Sequence, residues 1–89
     1  MNDRDTRIRR LGIRSWRRGT KEMDLILGPF FDRCGASLAD EAIDHYEALL
    51  AENDQDLYQW FSGQATEPEV HSTILATIRD HHAARIAKA

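Results

Sequence analysis

Apolar residues recur every three or four positions along most of the chain, and this spacing is typical of helices with one buried face. No alternating run of apolar and polar residues is long enough to predict a strand. The pattern divides into five helices with short connections, so we predict an all-α fold, a small five-helix bundle. The predicted helices cover residues 6–16, 20–33, 38–52, 55–62 and, after an opening at 66–69, a last segment ending at 87.

The second predicted helix contains an interior proline. Pro29 follows Gly28, and a proline inside a helix removes one backbone hydrogen bond and clashes with the preceding turn, at a cost of about 3 kcal/mol. The apolar positions nevertheless continue in phase on both sides of Pro29. We therefore predict one kinked helix rather than two short ones.

Polar side chains predict where the later helices begin. Ser37 and Asp40 have the spacing of a capping box, in which two side chains bond the free backbone amides of a helix start. Thr66 and Glu69 have the same spacing before the fifth helix. Asp54 is predicted to cap the fourth helix, because its carboxylate can accept hydrogen bonds from amides in the first turn.

The apolar stripes of the predicted helices supply one core. Cys34 lies on the second stripe, so we interpret it as a buried structural thiol and not as a nucleophile. It is the single cysteine, which excludes an intramolecular disulfide and is typical of a reducing compartment. The residues predicted to face inward are Ile8, Leu11, Trp16, Met23, Ile26, Leu27, Phe30, Phe31, Leu38, Ala42, Ile43, Tyr46, Leu49, Leu50, Leu57, Tyr58, Trp60, Phe61, Val70, Ile74, Leu75, Ile78 and Ile86.

The length of the chain limits its organisation. With 89 residues and 42% hydrophobic content, it suits one domain that spans residues 1–89. We expect residues 1–5 and 87–89 to be frayed. No apolar run approaches the roughly 20 residues that cross a bilayer, so no membrane association is predicted.

The formal net charge of −3 hides a division of the chain into a basic and an acidic part. Residues 1–22 contain eight lysines and arginines and three acids, so they carry +5 and the remaining residues carry −8. A basic first helix of this kind suits a nucleic acid, although the acidic remainder would repel phosphates unless the two faces are separated. A protein partner with an acidic rim explains the charge equally well, and the pattern alone leaves both open.

The chain lacks the residue patterns of common active sites. None of its serines lies in the setting of a nucleophile elbow, and no glycine-rich loop has the spacing of a phosphate cradle. The histidines are His45, His71, His81 and His82; on a helix His81 and His82 point about 100° apart and cannot easily share one metal ion. We predict no catalytic residue and no metal site, and we interpret the histidines as solvated surface residues.

The stretch RRGTKEMD, residues 17–24, concentrates charge around one glycine. It can be explained as a helix start in which Gly19 makes a turn and Thr20 is the cap. Glu22 and Asp24 then lie favourably near the positive end of the helix dipole. This explanation accounts for the acids of the stretch but not for its two arginines.

Arg17 and Arg18 stand beside the same positive helix end, where cations are disfavoured unless an external anion or partner compensates. A contact surface is the alternative explanation. In it Arg18 supplies a planar donor fork, Gly19 allows two backbones to meet, and Glu22 braces Arg18 or accepts donors from the partner. Physical reasoning gives the helix start and the contact surface equal weight.

At these residues the chain resembles the SdhE flavinylation-factor family, whose R-G-x-x-E motif is matched by Arg18, Gly19 and Glu22. The segments SWRRGTKEMDLILGPFFD and LLAENDQDLYQWFSG are similar to the family's segments around and after the motif, and the resemblance covers roughly residues 7 to 80. Thr20 departs from the methionine that many members carry there.

The resemblance implies a function without catalytic residues. Such factors bind the flavoprotein subunit of succinate dehydrogenase, with fumarate reductase as a second client, and promote covalent attachment of FAD to a histidine of that subunit. The factor positions the reacting groups, and the attachment itself is largely self-catalysed by the flavoprotein. We therefore expect a cytoplasmic bacterial assembly factor, monomeric when free, that does not bind FAD stably.

The resemblance also assigns site residues. Arg18, Gly19 and Glu22 would contact the flavoprotein, with Arg17 and Asp24 as flanking contacts. Gly19→Arg would then abolish function by steric exclusion and leave the helical fold largely intact. The alternatives are a small nucleic-acid-binding regulator that uses the basic first helix, and a toxin-neutralising module that binds another protein.

Overall fold

The computed structural model describes residues 3–87, which form five α-helices and no strand within that range. The prediction of an all-α five-helix bundle is confirmed. The helices are α1 (Asp3–Ser15), α2 (Lys21–Cys34), α3 (Asp40–Leu50), α4 (Asp54–Ser62) and α5 (Glu69–Ala87), and a 3₁₀ turn (Gly35–Ser37) joins α2 to α3. None of these helices is long and apolar enough to cross a membrane.

The chain ends lie only partly within the described range. Residues 1, 2, 88 and 89 of the segments expected to fray are outside it, while residues 3–5 and 87 are helical. Helix α1 therefore begins three residues earlier than predicted, at Asp3 instead of Thr6. Two acids, Asp3 and Asp5, lie in its first turn, where they interact favourably with the helix dipole.

Helix α2 lies at the centre of the bundle and packs against α1, α4 and α5, while α3 packs against α1 and α5. Phe31 stacks on Tyr46 with a centroid separation of 4.7 Å, and Phe30 lies 5.7 Å from the same ring. The Tyr46 hydroxyl is bonded to the buried Ser15 hydroxyl at 2.6 Å, which satisfies both polar groups inside the core. Burial raises the pKa of Tyr46.

Most residues predicted to face inward do so, with four clear exceptions. Trp16, Tyr58, Val70 and Ile86 are 41%, 41%, 62% and 58% exposed. In α5 the inward position that Val70 was expected to fill is taken by His71, about 100° further around the helix. Ile86 lies in the last described turn of α5. Cys34 is only partly buried, at the margin of the core.

Trp16 follows the end of α1 and lies against α2. A Cβ added to Gly28 would meet the indole at 2.4 Å, so the absence of a side chain at Gly28 creates the space for the ring. The indole Nε1 donates to Asp32 Oδ2 at 2.9 Å. Trp16 thus lies outside the core but connects α1 to α2.

Helix α2 continues through Pro29, which confirms the prediction of a single helix. Because proline has no N–H, the carbonyl of Leu25 lacks its normal partner four residues later. Arg85 of α5 supplies one, since its Nη1 donates to Leu25 O at 3.1 Å. A donor from another helix therefore replaces the missing backbone bond.

The predicted caps are only partly correct. Thr20 caps α2 as expected, with its hydroxyl oxygen 3.4 Å from the Met23 amide. The capping box predicted at Ser37 is wrong, because its hydroxyl donates to Cys34 O within the 3₁₀ turn and α3 begins after Ala39 without a side-chain cap. The cap predicted at Asp54 is also wrong.

At the start of α4, the side chain of Asn53 caps the helix by accepting from the Asp56 amide at 2.8 Å. Asp54 is the first residue of α4, and its carboxylate faces Arg18 instead. Thr66 makes no side-chain cap hydrogen bond within residues 3–87, and α5 begins at Glu69. Local spacing therefore placed these starts to within a few residues but chose the wrong side chains.

Candidate partner-binding site

The turn between α1 and α2 carries the R-G-x-x-E motif and is held from within the chain. Asp24 accepts the backbone N–H of Arg18 on Oδ1 at 2.7 Å. The Asp24 amide donates in turn to Thr20 O at 3.1 Å. Asp24, predicted to flank a partner contact, thus shapes the turn that presents the motif.

The Arg18 side chain is only 12% exposed, and its guanidinium points into the chain. Its Nε donates to Asp54 Oδ1 at 2.8 Å, and Nη1 and Nη2 donate to the carbonyls of Leu50 and Glu52, both at 2.5 Å. These carbonyls are left free where α3 ends, so the arginine caps α3 and fixes the start of α4. The prediction that this fork reaches outward is wrong for these three donors, and Glu22 does not brace Arg18.

Gly19 has a φ of 105°, a conformation that L side chains rarely adopt. A Cβ at this position would also lie 3.3 Å from Asp54 Oδ2, the second oxygen of the carboxylate that binds Arg18. Glycine is therefore required by the backbone itself. Gly19→Arg would add backbone strain to the steric exclusion expected from the sequence.

Glu22 is exposed in the first turn of α2 and has no hydrogen bond or ion pair with any described residue. It lines a surface groove of about 320 Å³ together with Thr20, Asp54, Gln55 and Tyr58. An unpaired carboxylate next to a half-exposed aromatic ring can accept hydrogen bonds from another molecule and hold apolar or cationic groups. This groove is the candidate site.

The part of the groove that α4 supplies was not predicted from the sequence. Tyr58 was expected in the core but is 41% exposed, and Gln55 was not singled out. The only signal was that four large apolar residues crowd α4, more than one helix face can bury. Arg17 is exposed, and its side chain has no partner among residues 3–87.

The Arg18 contacts extend to α5 through Glu52. The Glu52 carbonyl accepts from Arg18, and its carboxylate Oε2 lies 2.9 Å from His71 Nε2. His71 is 4% exposed, so the prediction of a solvated residue is wrong there. Trp60 lies against the His71 ring at a centroid distance of 5.6 Å. Contacts from the end of α3, from α4 and from α5 thus support the turn between α1 and α2.

Two more histidines differ from the prediction of full solvation. His81 and His82 are partly buried edge-on against Phe30 and Phe61, at centroid distances of 5.6 and 5.2 Å. Desolvation is the main reason that the pKa of each is lowered, and nearby cations, including Arg85, add to it. Within residues 3–87 no group of three or more histidine, cysteine or acidic side chains is placed to hold a metal ion.

The basic face of α1 is partly neutralised by the acidic face of α3. The ion pairs are Arg4 with Asp40, Arg7 with Asp44 and Glu47, and Arg14 with Glu47. Arg7 reaches Glu47 Oε1 at 2.6 Å, so this is direct bonding and not only proximity. Arg9 and Arg10 remain exposed without a partner among the described residues. Three of the eight basic residues in 1–22 therefore join α1 to α3.

Comparison with known proteins identifies relatives over most of the chain. Residues 9–82 match the sequence model of a family described as flavinator of succinate dehydrogenase. The chain is 32% identical over 71 residues to the FAD assembly factor SdhE of Photobacterium profundum, a match that covers 79% of this chain and 81% of that protein. It is 43% identical over 47 residues to the FAD assembly factor SdhE of Vibrio cholerae, covering 53% of this chain and 55% of that protein.

A fungal relative matches over less of its length. The chain is 42% identical over 57 residues to the mitochondrial succinate dehydrogenase assembly factor 2 of Meyerozyma guilliermondii, covering 64% of this chain and 42% of that protein. No solved structure matches the chain. The family match includes the whole motif turn and parts or all of every helix. The chain belongs to the family of flavinators of succinate dehydrogenase.

Proposed function

We propose that this protein is an assembly factor that binds the flavoprotein subunit of succinate dehydrogenase and promotes covalent attachment of FAD to a histidine of that subunit. The family match and the names of the bacterial and mitochondrial relatives support this role. The same names describe assembly rather than catalysis, so the protein acts as a chaperone and not as an enzyme.

The observation that carries the proposal is the unpaired Glu22 carboxylate at the edge of the groove. Of the three motif residues, Arg18 and Gly19 build the turn, and Glu22 alone presents a free charged group. A rigid turn with one free carboxylate suits contact with a partner, because little side-chain entropy of the turn is lost on binding. Arg17, exposed beside the turn, is the second contact.

The proposed mechanism is positioning. Binding at the groove holds the flavoprotein in an arrangement in which its histidine and the flavin can react, and this requires no nucleophile from the factor. FAD stays with the partner, because Glu22 and Asp54 line the groove and the unpaired carboxylate of Glu22 would repel the phosphates of the cofactor.

The same proposal includes three finer points. Fumarate reductase flavoprotein is a second client, the free factor is a monomer, and it acts in the bacterial cytoplasm. The nucleic-acid alternative is less well supported, because three arginines of α1 are bonded to acids of α3 and fewer remain for phosphates.

The test is co-expression with the succinate dehydrogenase flavoprotein subunit, followed by denaturing electrophoresis and in-gel fluorescence of covalent flavin. We expect the flavin band to require this protein and to fall at least tenfold with Glu22→Ala. The flavin band should also fall with Glu22→Gln, because this substitution keeps the size of the side chain but removes its charge.

Glu41→Ala is the matched control. Glu41 is also an exposed acid in the first turn of a helix and has no partner among the described residues, so its loss changes net charge equally. The control should keep the wild-type flavin band. A band that persists without the factor, or that falls equally with Glu41→Ala, would refute the proposed function or its site.

A further inference from the structure

A second groove lies between the C-terminal halves of α2 and α5. It has a volume of about 500 Å³, and its lining residues are Pro29, Asp32, Arg33, His81, Ala84 and Arg85. We propose that this basic groove binds a phosphate monoester, with the phosphate held by Arg33, Arg85 and His81 and the organic part lying along Pro29 and Ala84. This site is independent of the proposed function.

The first support is that the two arginines lining this groove both lack a carboxylate partner among the described residues. Arg33 is exposed and has no hydrogen bond or ion pair with any residue in 3–87, and Arg85 bonds only the carbonyl of Leu25. Among residues 3–87, five other arginines form an ion pair with a carboxylate: Arg4, Arg7, Arg14, Arg18 and Arg79. The protein has a net charge of −3, but two arginines that share a groove without such a partner make this groove locally positive, which favours binding of an anion.

The second support is the convergence of three basic groups. His81 is partly buried edge-on against Phe30, and its pKa is lowered by desolvation first and then by Arg33, Arg85 and His82. All three groups line the same groove, and an anion placed among them would relieve the repulsion between the two arginines.

One acid also faces this groove and must be included. Asp32 lines it, but its Oδ2 accepts from the Trp16 indole at 2.9 Å. With Arg33 and Arg85 the lining carries a net charge of +1 while His81 is neutral, and more when His81 is protonated. Positive potential therefore remains at the groove.

The chemistry of the lining favours phosphate. Guanidinium groups present paired N–H donors that match the oxygens of a phosphate, and the dianion of a monoester complements two arginines. The groove is much larger than a phosphate ion, and Pro29 and Ala84 give it an apolar wall. A phosphate attached to a small organic group fills this shape better than inorganic phosphate.

The competing explanation is that both arginines only stabilise helix ends. Arg33 lies in the last turn of α2 and Arg85 in the last turn of α5, where cations interact favourably with the helix dipole. This explanation predicts a loss of stability when Arg33 is replaced, but no saturable binding of phosphate.

The experiment is an NMR titration of the full chain at pH 7, with the His81 ring signals as the reporter and those of His45, which does not line the groove, as a reference. The probes are glycerol 3-phosphate and inorganic phosphate, with sodium chloride at matched ionic strength. We expect a saturable shift at His81 with a dissociation constant on the order of 1 mM. Bound phosphate should also raise the pKa of His81.

Arg33→Gln should weaken binding about tenfold, a loss equivalent to one charge-assisted hydrogen bond. Arg9→Gln removes an exposed, unpaired arginine of α1 and should bind like the wild type. Three results would overturn the proposal: the same response to chloride as to phosphate, equal binding by the two variants, or binding of inorganic phosphate with exclusion of the glycerol ester.

Discussion

At the scale of single residues, two glycines share a positive φ but differ in what surrounds them. Gly19 and Gly63 have φ values of 105° and 81°. Gly63 ends α4, and a Cβ there would meet nothing within 4 Å, whereas a Cβ at Gly19 would approach Asp54. A side chain at either position would strain the backbone, but only at Gly19 would it also contact another residue.

We expect Gly19→Ala and Gly63→Ala each to lower stability by about 1–2 kcal/mol, the cost of a left-handed conformation for an L residue. Only Gly19→Ala should also reduce flavinylation, because it disturbs the turn that presents Glu22. Thermal unfolding measures the first effect, and covalent flavin in the co-expression assay measures the second. Equal flavinylation by the two variants would show that the turn is not part of the site.

The motif positions of the candidate site are recognisable in the sequence, but the contacts that their side chains make are not. Arg18 was expected to face a partner because it stands beside the positive end of the second helix, where a cation is disfavoured without a compensating anion or partner. Its actual partners, Leu50, Glu52 and Asp54, lie 32 to 36 residues away, and no local pattern reveals them. Glu22, which lacks a partner in the described residues, is the motif residue whose expected role fits its surroundings.

At the scale of helices, the number, type and order of the elements followed from apolar spacing. Their caps did not, because several polar side chains near each start compete. Asn53 and Asp54 are adjacent, and either suits a cap; Arg18 binds Asp54 and thereby leaves the cap to Asn53. Tertiary contacts made that choice.

The contact between α1 and α2 gives a prediction with opposite signs at two helical glycines. Gly12→Ala would place a Cβ 3.7 Å from Phe31, an ordinary contact, and should stabilise the protein by about 0.5–1 kcal/mol through helix propensity. Gly28→Ala would place one 2.4 Å from the Trp16 indole, and this clash should cost about 1–3 kcal/mol, more than the gain in propensity.

Denaturant unfolding of both variants measures these changes, and the NMR signal of the Trp16 indole N–H shows whether its bond to Asp32 survives. A Gly28→Ala variant that is as stable as Gly12→Ala and keeps this signal would mean that the indole does not need the space above Gly28.

At the scale of the whole molecule, the partly buried histidines make stability depend on pH. The pKa values of His81 and His82 are lowered from the usual 6.5, so below that pH the unfolded chain binds more protons than the folded one. Stability is therefore fully present above about pH 6.5 and decreases as the pH falls below it.

We expect the melting temperature to fall between pH 7.5 and 5, and the double variant His81→Gln/His82→Gln to flatten this dependence. His45→Gln should keep the wild-type slope, because His45 makes neither of the ring contacts with Phe30 and Phe61. A double variant with an unchanged slope would assign the acid sensitivity to other groups. Glu67, whose bond with Arg79 lowers its pKa, titrates at lower pH and does not interfere.

The Arg18 contacts make the boundary between α3 and α4 a property of the assembled protein. The carbonyls of Leu50 and Glu52 receive donors from a residue that precedes them by more than thirty positions. A peptide of α3 and α4 alone would keep the Asn53 cap of α4 but lose the donors that Arg18 supplies to the carbonyls at the end of α3. Arg18 therefore adds a contact from the α1–α2 turn to the local hydrogen bonds that define this boundary, and the motif turn and the end of α3 stabilise each other.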